Sequence, residues 1–301
     1  LFGRRRWLQA LATIAVGLQP QLIHMTAVVN PDVFLAGIWS AALYVLVRLV
    51  KHGPTRGRIA WTVALTIASY LAQPRGIAIL IPAAAALGLV FWRHRRPARL
   101  WVRRALGVGA GLVVLVGAVG VVGYAFLGEF TVERARRFAS YLGHFYLPGF
   151  VDPTPSFGAR QVFVERLFGG FAMLEANFPQ RVFTALVLIG VVVVASALVG
   201  VLRRRAEVRR RLDVVAVLVL AVVGYLLVLH VAAFRSLLVS SDPVITGRYL
   251  LPLLPLYGVM LALAVVWLPR RWAPVAAGVL VGGAVLMQIA SIAVVFARFY
   301  A

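Results

Sequence analysis

The chain has 301 residues, of which 62% are hydrophobic and 13% charged, with a mean hydropathy of +0.93; a water-soluble globule of this length cannot cover that much apolar surface with polar groups. Its formal charge of +22 would point to nucleic acid in a soluble protein, but the 31 basic residues lie in short clusters between apolar runs, so lipid is the solvent and nucleic acid is excluded as a partner. The absence of cysteine removes disulfides, thiolate nucleophiles and Cys-based metal sites without fixing the compartment.

A helix needs about 20 apolar residues to cross the roughly 30 Å hydrocarbon core, and its backbone polar groups must be paired within it. On that criterion the chain is all-α, a polytopic transmembrane helical bundle of about nine spans forming one transmembrane domain over 1–301. The spans fall near 7–29, 33–50, 59–73, 77–92, 105–127, 181–201, 213–234, 249–268 and 273–296. The sequence opens on Leu1, and Arg4, Arg5 and Arg6 precede the first apolar run. That is the form of a signal peptide, but no small-residue cleavage site ends the run and further spans follow. The expectation is a fragment whose start lies upstream.

His24 lies near the outer end of the first span, and Asn30, Pro31 and Asp32 join it to the second. Locally these three read as a helix start: Asn caps, Pro takes the first helical position, and Asp faces the positive end of the dipole. The third and fourth spans are short, at 15 and 16 residues, so each covers only about 22–24 Å at a rise of about 1.5 Å per residue. Their connection through Gln73, Pro74, Arg75 and Gly76 should then sit in a recess below the outer surface, or the pair is a re-entrant hairpin. Taken alone, that connection is a tight turn with a snorkelling arginine. Glycines at 107, 109 and 111 mimic a nucleotide-binding loop, but no strand precedes them. They read as small-residue helix packing, as do Gly278 and Gly282.

The long segment 128–180 carries two amphipathic runs. Phe130, Phe138, Leu142 and Phe145 recur at helical spacing against Glu133, Arg134, Arg136 and Arg137, and Val162, Phe163, Leu167, Met173 and Leu174 accompany Arg160, Glu165, Arg166 and Glu175. Both read as helices in the membrane interface. Between them, the prolines and glycine of 148–155 mark a mobile outer loop. Later, Gly247, Arg248 and Tyr249 open a span that Pro252 and Pro255 must distort; read alone, Arg248 and Tyr249 are an interfacial anchor.

One side of this parse holds 21 of the basic residues and the other ten, and seven of the nine acids share the basic-poor side. The basic side is cytoplasmic. No acid or base occupies the middle of a span, which weighs against a proton-driven transporter. No pair of histidines has metal-ligand spacing and no serine sits in a nucleophile elbow, so no cofactor is assigned and a divalent metal is left open. The polar groups that can act gather on the outer face instead.

Three features together, in span order, resemble the GT-C class of glycosyltransferases: an outer Asn, Pro, Asp sequence, a basic residue in the turn between two short spans, and Arg, Tyr and two spaced prolines opening a late span. The nearest likeness is to an uncharacterised bacterial branch of polytopic membrane proteins related to that class. The single lysine, Lys51, among so many arginines also goes with a GC-rich bacterial genome. The resemblance implies transfer of a sugar from a polyprenyl-phosphate donor to a glycan, lipid or protein acceptor of the cell envelope, on the outer side of the bacterial cytoplasmic membrane. It implies Asp32 as a catalytic acid of the second outer loop, Arg75 as the phosphate-side cation and Arg248 as the late outer arginine. Tyr249, His24, Asn30 and Gln73 stand beside these as substrate-binding candidates. Two departures stand out: the family's first outer loop, with its principal acid, would lie upstream of Leu1, and Gln73, Pro74, Arg75 replaces a pattern in which Lys is commoner. The competing readings are a non-catalytic transporter or flippase of lipid-linked intermediates, and a membrane assembly protein.

Overall fold

The computed structural model describes residues 5–28, 30–93, 132–147, 158–171, 176–239 and 245–300. The expected span 105–127 with its glycines, Phe130 of the first amphipathic run, the loop 148–155, and Met173, Leu174 and Glu175 of the second amphipathic run lie outside the described residues. Those described form helices and helical turns, together with an isolated antiparallel bridge between Phe171 and Ala176. The fold is all-α. The described α-helices of seven residues or more are α1 (Arg6–Gly17), α2 (Pro20–Thr26), α3 (Pro31–His52), α4 (Arg56–Ala72), α5 (Leu80–Arg93), α6 (Val132–Tyr146), α7 (Gln180–Arg203), α8 (Leu212–Val239), α9 (Leu254–Val266) and α10 (Ala273–Tyr300). Tight 3-10 turns lead into two of them, Pro74–Ile79 into α5 and Gly247–Leu253 into α9.

Among the described residues, six helical segments are long and apolar enough to cross a membrane: Pro31–His52, Pro74–Arg93, Gln180–Arg203, Leu212–Val239, Gly247–Val266 and Ala273–Tyr300. The chain is therefore a multi-pass membrane protein. The run 7–29 is not one helix. Pro20 has no N–H to continue α1, Gln19 turns to an extended conformation, and the Gln19 side chain accepts from the Leu22 N–H at 2.5 Å, so α2 starts afresh. In 59–73 the helix is α4, 17 residues long and about 25 Å at about 1.5 Å per residue. The two prolines of the late span act as the sequence predicts. Pro252 sits inside the 3-10 turn, where its missing N–H is tolerated, and Pro255 lies in the first turn of α9.

The chain divides into two compact units, Leu1–Val33 with His144–Arg210 and Thr246–Ala301, and Phe34–Gly143 with Arg211–Ile245. In the first, α9 packs against α1, α7 and α10. Lipid tails are as apolar as leucine, so close approach and interhelical hydrogen bonds hold such helices together. Ser196 of α7 donates to the Ala264 carbonyl at 2.7 Å and accepts from the Trp267 indole at 3.0 Å, each bond contributing about 0.6 kcal/mol in such a setting. Gly278 and Gly282, expected as packing positions, meet no neighbour within 4 Å among the described residues. They lie on a face of α10 that no other described residue covers: Val275, Val279 and Leu286 are all exposed.

In the second unit, α5 and its leading 3-10 turn pack against α8. Trp39 of α3 is fully buried edge-on against Tyr225 of α8 at 4.7 Å, and Arg93 pairs with Asp213 at 2.7 Å where α5 ends and α8 begins. From Val132 on, the first amphipathic run is helical as expected. In this unit α6 lays Phe138 against Phe234 at 5.3 Å and Tyr141 against His230, hydroxyl to ring nitrogen, at 3.0 Å. The second run, in the first unit, is broken: a π-turn, Gln161–Glu165, continues as one helical turn, Arg166–Phe168. Gly169 ends it, packed so closely under the rings of Phe178 and Phe183 that a side chain there would overlap them.

Candidate functional site

In the first unit the start of α3 is built as its residues dictate. Asn30 Oδ1 accepts from the Asp32 N–H at 2.8 Å, Pro31 takes the first helical position, and the Asn30 amide donates to Met25 Sδ at 3.1 Å. The helix-start reading of these residues is correct, but Asp32 does more than face the helix dipole. It is only 3% exposed, and its Oδ2 lies 3.6 Å from Nε of Arg248, 216 positions later in the chain. A carboxylate buried beside lipid costs several kcal/mol unless a cation or hydrogen bonds compensate it. Arg248 is the cation. Its guanidinium also stands over the ring of Tyr249, 5.5 Å from the centroid.

At 3.6 Å the contact is an ion pair without a hydrogen bond. Arg248 Nε is buried and has no hydrogen-bond partner among the described residues, while the side chain as a whole is 35% exposed. A guanidinium offers five N–H donors in a planar fork, so one edge faces the buried carboxylate and part of the group stays open to an anion.

Two contacts fix Arg248 in place. Gly247 lies against the backbone of Arg166 and Leu167, so that any Cβ would overlap the Leu167 nitrogen. Gln19 donates from Nε2 to the Leu167 carbonyl at 2.6 Å, tying the same turn to the break between α1 and α2. His24 meets the edge of Phe171 at 5.7 Å. The segment 166–171, the helix break and the 3-10 turn thus form one support for the Asp32 and Arg248 pair; the sequence reading passed over Gln19 and took Gly247 only as part of a span start and Leu167 only as part of an amphipathic face. The signals were a polar residue beside a proline inside an apolar run and a glycine immediately before the arginine.

In the second unit Gln73 and Arg75 share a single turn. Arg75 donates from Nε to Gln73 Oε1 at 2.9 Å, and its Nη2 reaches the same oxygen. The Gly76 N–H donates to the Gln73 carbonyl at 2.8 Å, and the Ser69 hydroxyl donates to the Gly76 carbonyl at 2.9 Å. Trp39 Nε1 in turn donates to Ser69 Oγ at 2.9 Å. Gly76 is pressed so close to the Ser69 carbonyl that a side chain there is impossible without movement. The turn is therefore a rigid cradle for one arginine at the end of α4.

The structure brings Asp32 to Arg248, with Tyr249, Asn30 and His24 placed in the same unit, and brings Gln73 to Arg75 in the other. Among the described residues no three acidic or imidazole side chains gather as a metal ion would require. No family model, curated protein or solved structure matches the chain.

Proposed function

We propose that this protein is a membrane glycosyltransferase that moves a sugar from a polyprenyl-phosphate donor to an envelope acceptor on the outer side of the bacterial cytoplasmic membrane. The observation that carries the reading is the buried Asp32 carboxylate 3.6 Å from the half-open Arg248 guanidinium. Both begin an apolar segment long enough to cross the bilayer, and both follow loops on the basic-poor side. In the proposed reaction Asp32 takes the proton of the acceptor hydroxyl, and the oxygen forms a bond to the anomeric carbon. The bond from that carbon to the phosphate oxygen breaks, the electron pair leaving on the polyprenyl phosphate, whose charge Arg248 offsets. A lipid-borne donor explains why such a pair stands at the end of membrane spans.

The test is transfer in proteoliposomes of the full-length protein, with a panel of polyprenyl phosphates carrying radiolabelled hexoses or pentoses and an envelope extract as acceptor. Label should move with one donor, and Asp32→Asn should lower the rate by a factor of about 10²–10⁴, the range for removing a general base, while the variant still inserts. Full transfer in Asp32→Asn would leave Asp32 as a helix-start residue and the proposal unsupported.

A further inference from the structure

The helix break holds two glutamines, Gln19 and Gln21, each only 2% exposed, and they differ in one respect. Both ends of the Gln19 amide are occupied, its oxygen by the Leu22 N–H and its nitrogen by the Leu167 carbonyl. Gln21 Oε1 is buried and accepts no hydrogen bond among the described residues. Such an orphan costs about 1–3 kcal/mol. A methionine would fill nearly the same volume without that cost. α2 packs against both the Arg166–Phe168 turn and the Gly247–Leu253 turn, and Arg248 Nε in the second is the other buried polar atom of this unit that lacks a hydrogen bond among the described residues. Two touching segments therefore carry one unused acceptor, on Gln21, and a guanidinium that meets Asp32 through its buried Nε while the side chain is 35% exposed. Their complement is a ligand that offers a hydroxyl and an anionic oxygen together.

We propose that Gln21 recognises a hydroxyl of the sugar on the lipid-phosphate donor, next to the phosphate held by Arg248. The inference rests on the glycosyltransferase reading and deepens it by naming a sugar-binding residue. A carbonyl oxygen repels a phosphate oxygen but accepts from a hydroxyl. If the amide is turned over, the same hydroxyl accepts from Nε2, so the assignment holds for either placement of the amide. Phosphate recognition belongs to Arg248 and sugar recognition to Gln21, which makes the two separable.

The experiment measures dissociation constants of the full chain in nanodiscs for farnesyl phosphate and for farnesyl phosphate esterified to mannose, glucose, galactose or arabinose. The wild type should bind its preferred sugar ester about tenfold more tightly than farnesyl phosphate, the increment of one satisfied buried hydrogen bond. Gln21→Met should keep the affinity for farnesyl phosphate within about twofold, lose the sugar increment, and unfold at the same temperature or higher, because an orphan has been removed. Gln21→Leu, a second apolar replacement, should show the same split should the methionine variant not accumulate. A sugar increment that survives in both variants, or is absent from the wild type while farnesyl phosphate binds, would overturn this inference and leave the transferase reading standing. A wild type that binds neither class of probe would overturn both.

Discussion

Asp32 has two roles that pull in different directions, helix start and buried charge, and the difference is measurable. The backbone N–H of residue 32 is the group that Asn30 accepts from, so Asp32→Asn keeps the helix start and removes only the charge. Arg248→Ala removes the cation and leaves the carboxylate, 3% exposed, without its ion-pair partner. Losing one member of a buried pair costs about 3–5 kcal/mol, and the partial exposure of Arg248 reduces that to the lower end or below. The expected order of thermal midpoints in nanodiscs is therefore Arg248→Ala below Asp32→Asn; the reverse order would show that the pair does not bear on stability. Gly247→Ala should also lower the midpoint, since the added methyl meets backbone at Arg166 and Leu167, and overpacking of that kind costs about 1–3 kcal/mol. Its midpoint, and the yield of inserted protein, check this.

The elements show which features a sequence displays and which it hides. Proline and glycine act locally, so the 3-10 start of α9 at Pro252 and Pro255, the cap at Asn30 and the turn at Gln73 were legible. So was the pairing of Asp32 with Arg248, because both begin spans on one side and so lie at one depth. The break at Pro20 was not, because an apolar run with a single proline reads as one span until Gln19 is seen capping the new helix. For Gly278 and Gly282 spacing signals only that a helix can pack closely, and no other described residue faces them. Nor did one serine in an apolar run announce the relay from Trp39 through Ser69 to Gly76. That relay makes a prediction for the turn it supports. In this Cys-free chain, Arg75→Cys should react with a small hydrophilic thiol reagent added outside, more slowly than a cysteine placed at 154. Labelling only from the inside would show that the turn faces the cytoplasm.

At the scale of the whole molecule, the class of protein rests on apolar segments long enough to cross a bilayer, and the nine-span reading of the sequence sorts the basic residues 21 to ten. That asymmetry predicts an orientation, because Lys and Arg concentrate in cytoplasmic loops. Reporter fusions after Arg205 should behave as cytoplasmic and fusions near Asp152 as exported. The opposite pattern would move Asp32 and Arg248 to the cytoplasmic side and remove the outer-face reaction. Between orientation and chemistry stands the claim that these two residues, 216 positions apart, work as one site. A double-mutant cycle on sugar transfer tests it most directly, with Asp32→Asn, Arg248→Lys and the double variant compared in the same proteoliposomes. If the pair acts as a unit, the double variant loses little more than the worse single variant, because the second change removes nothing still in use; losses that multiply, each change costing its full factor in the presence of the other, would show two independent residues and contradict the account.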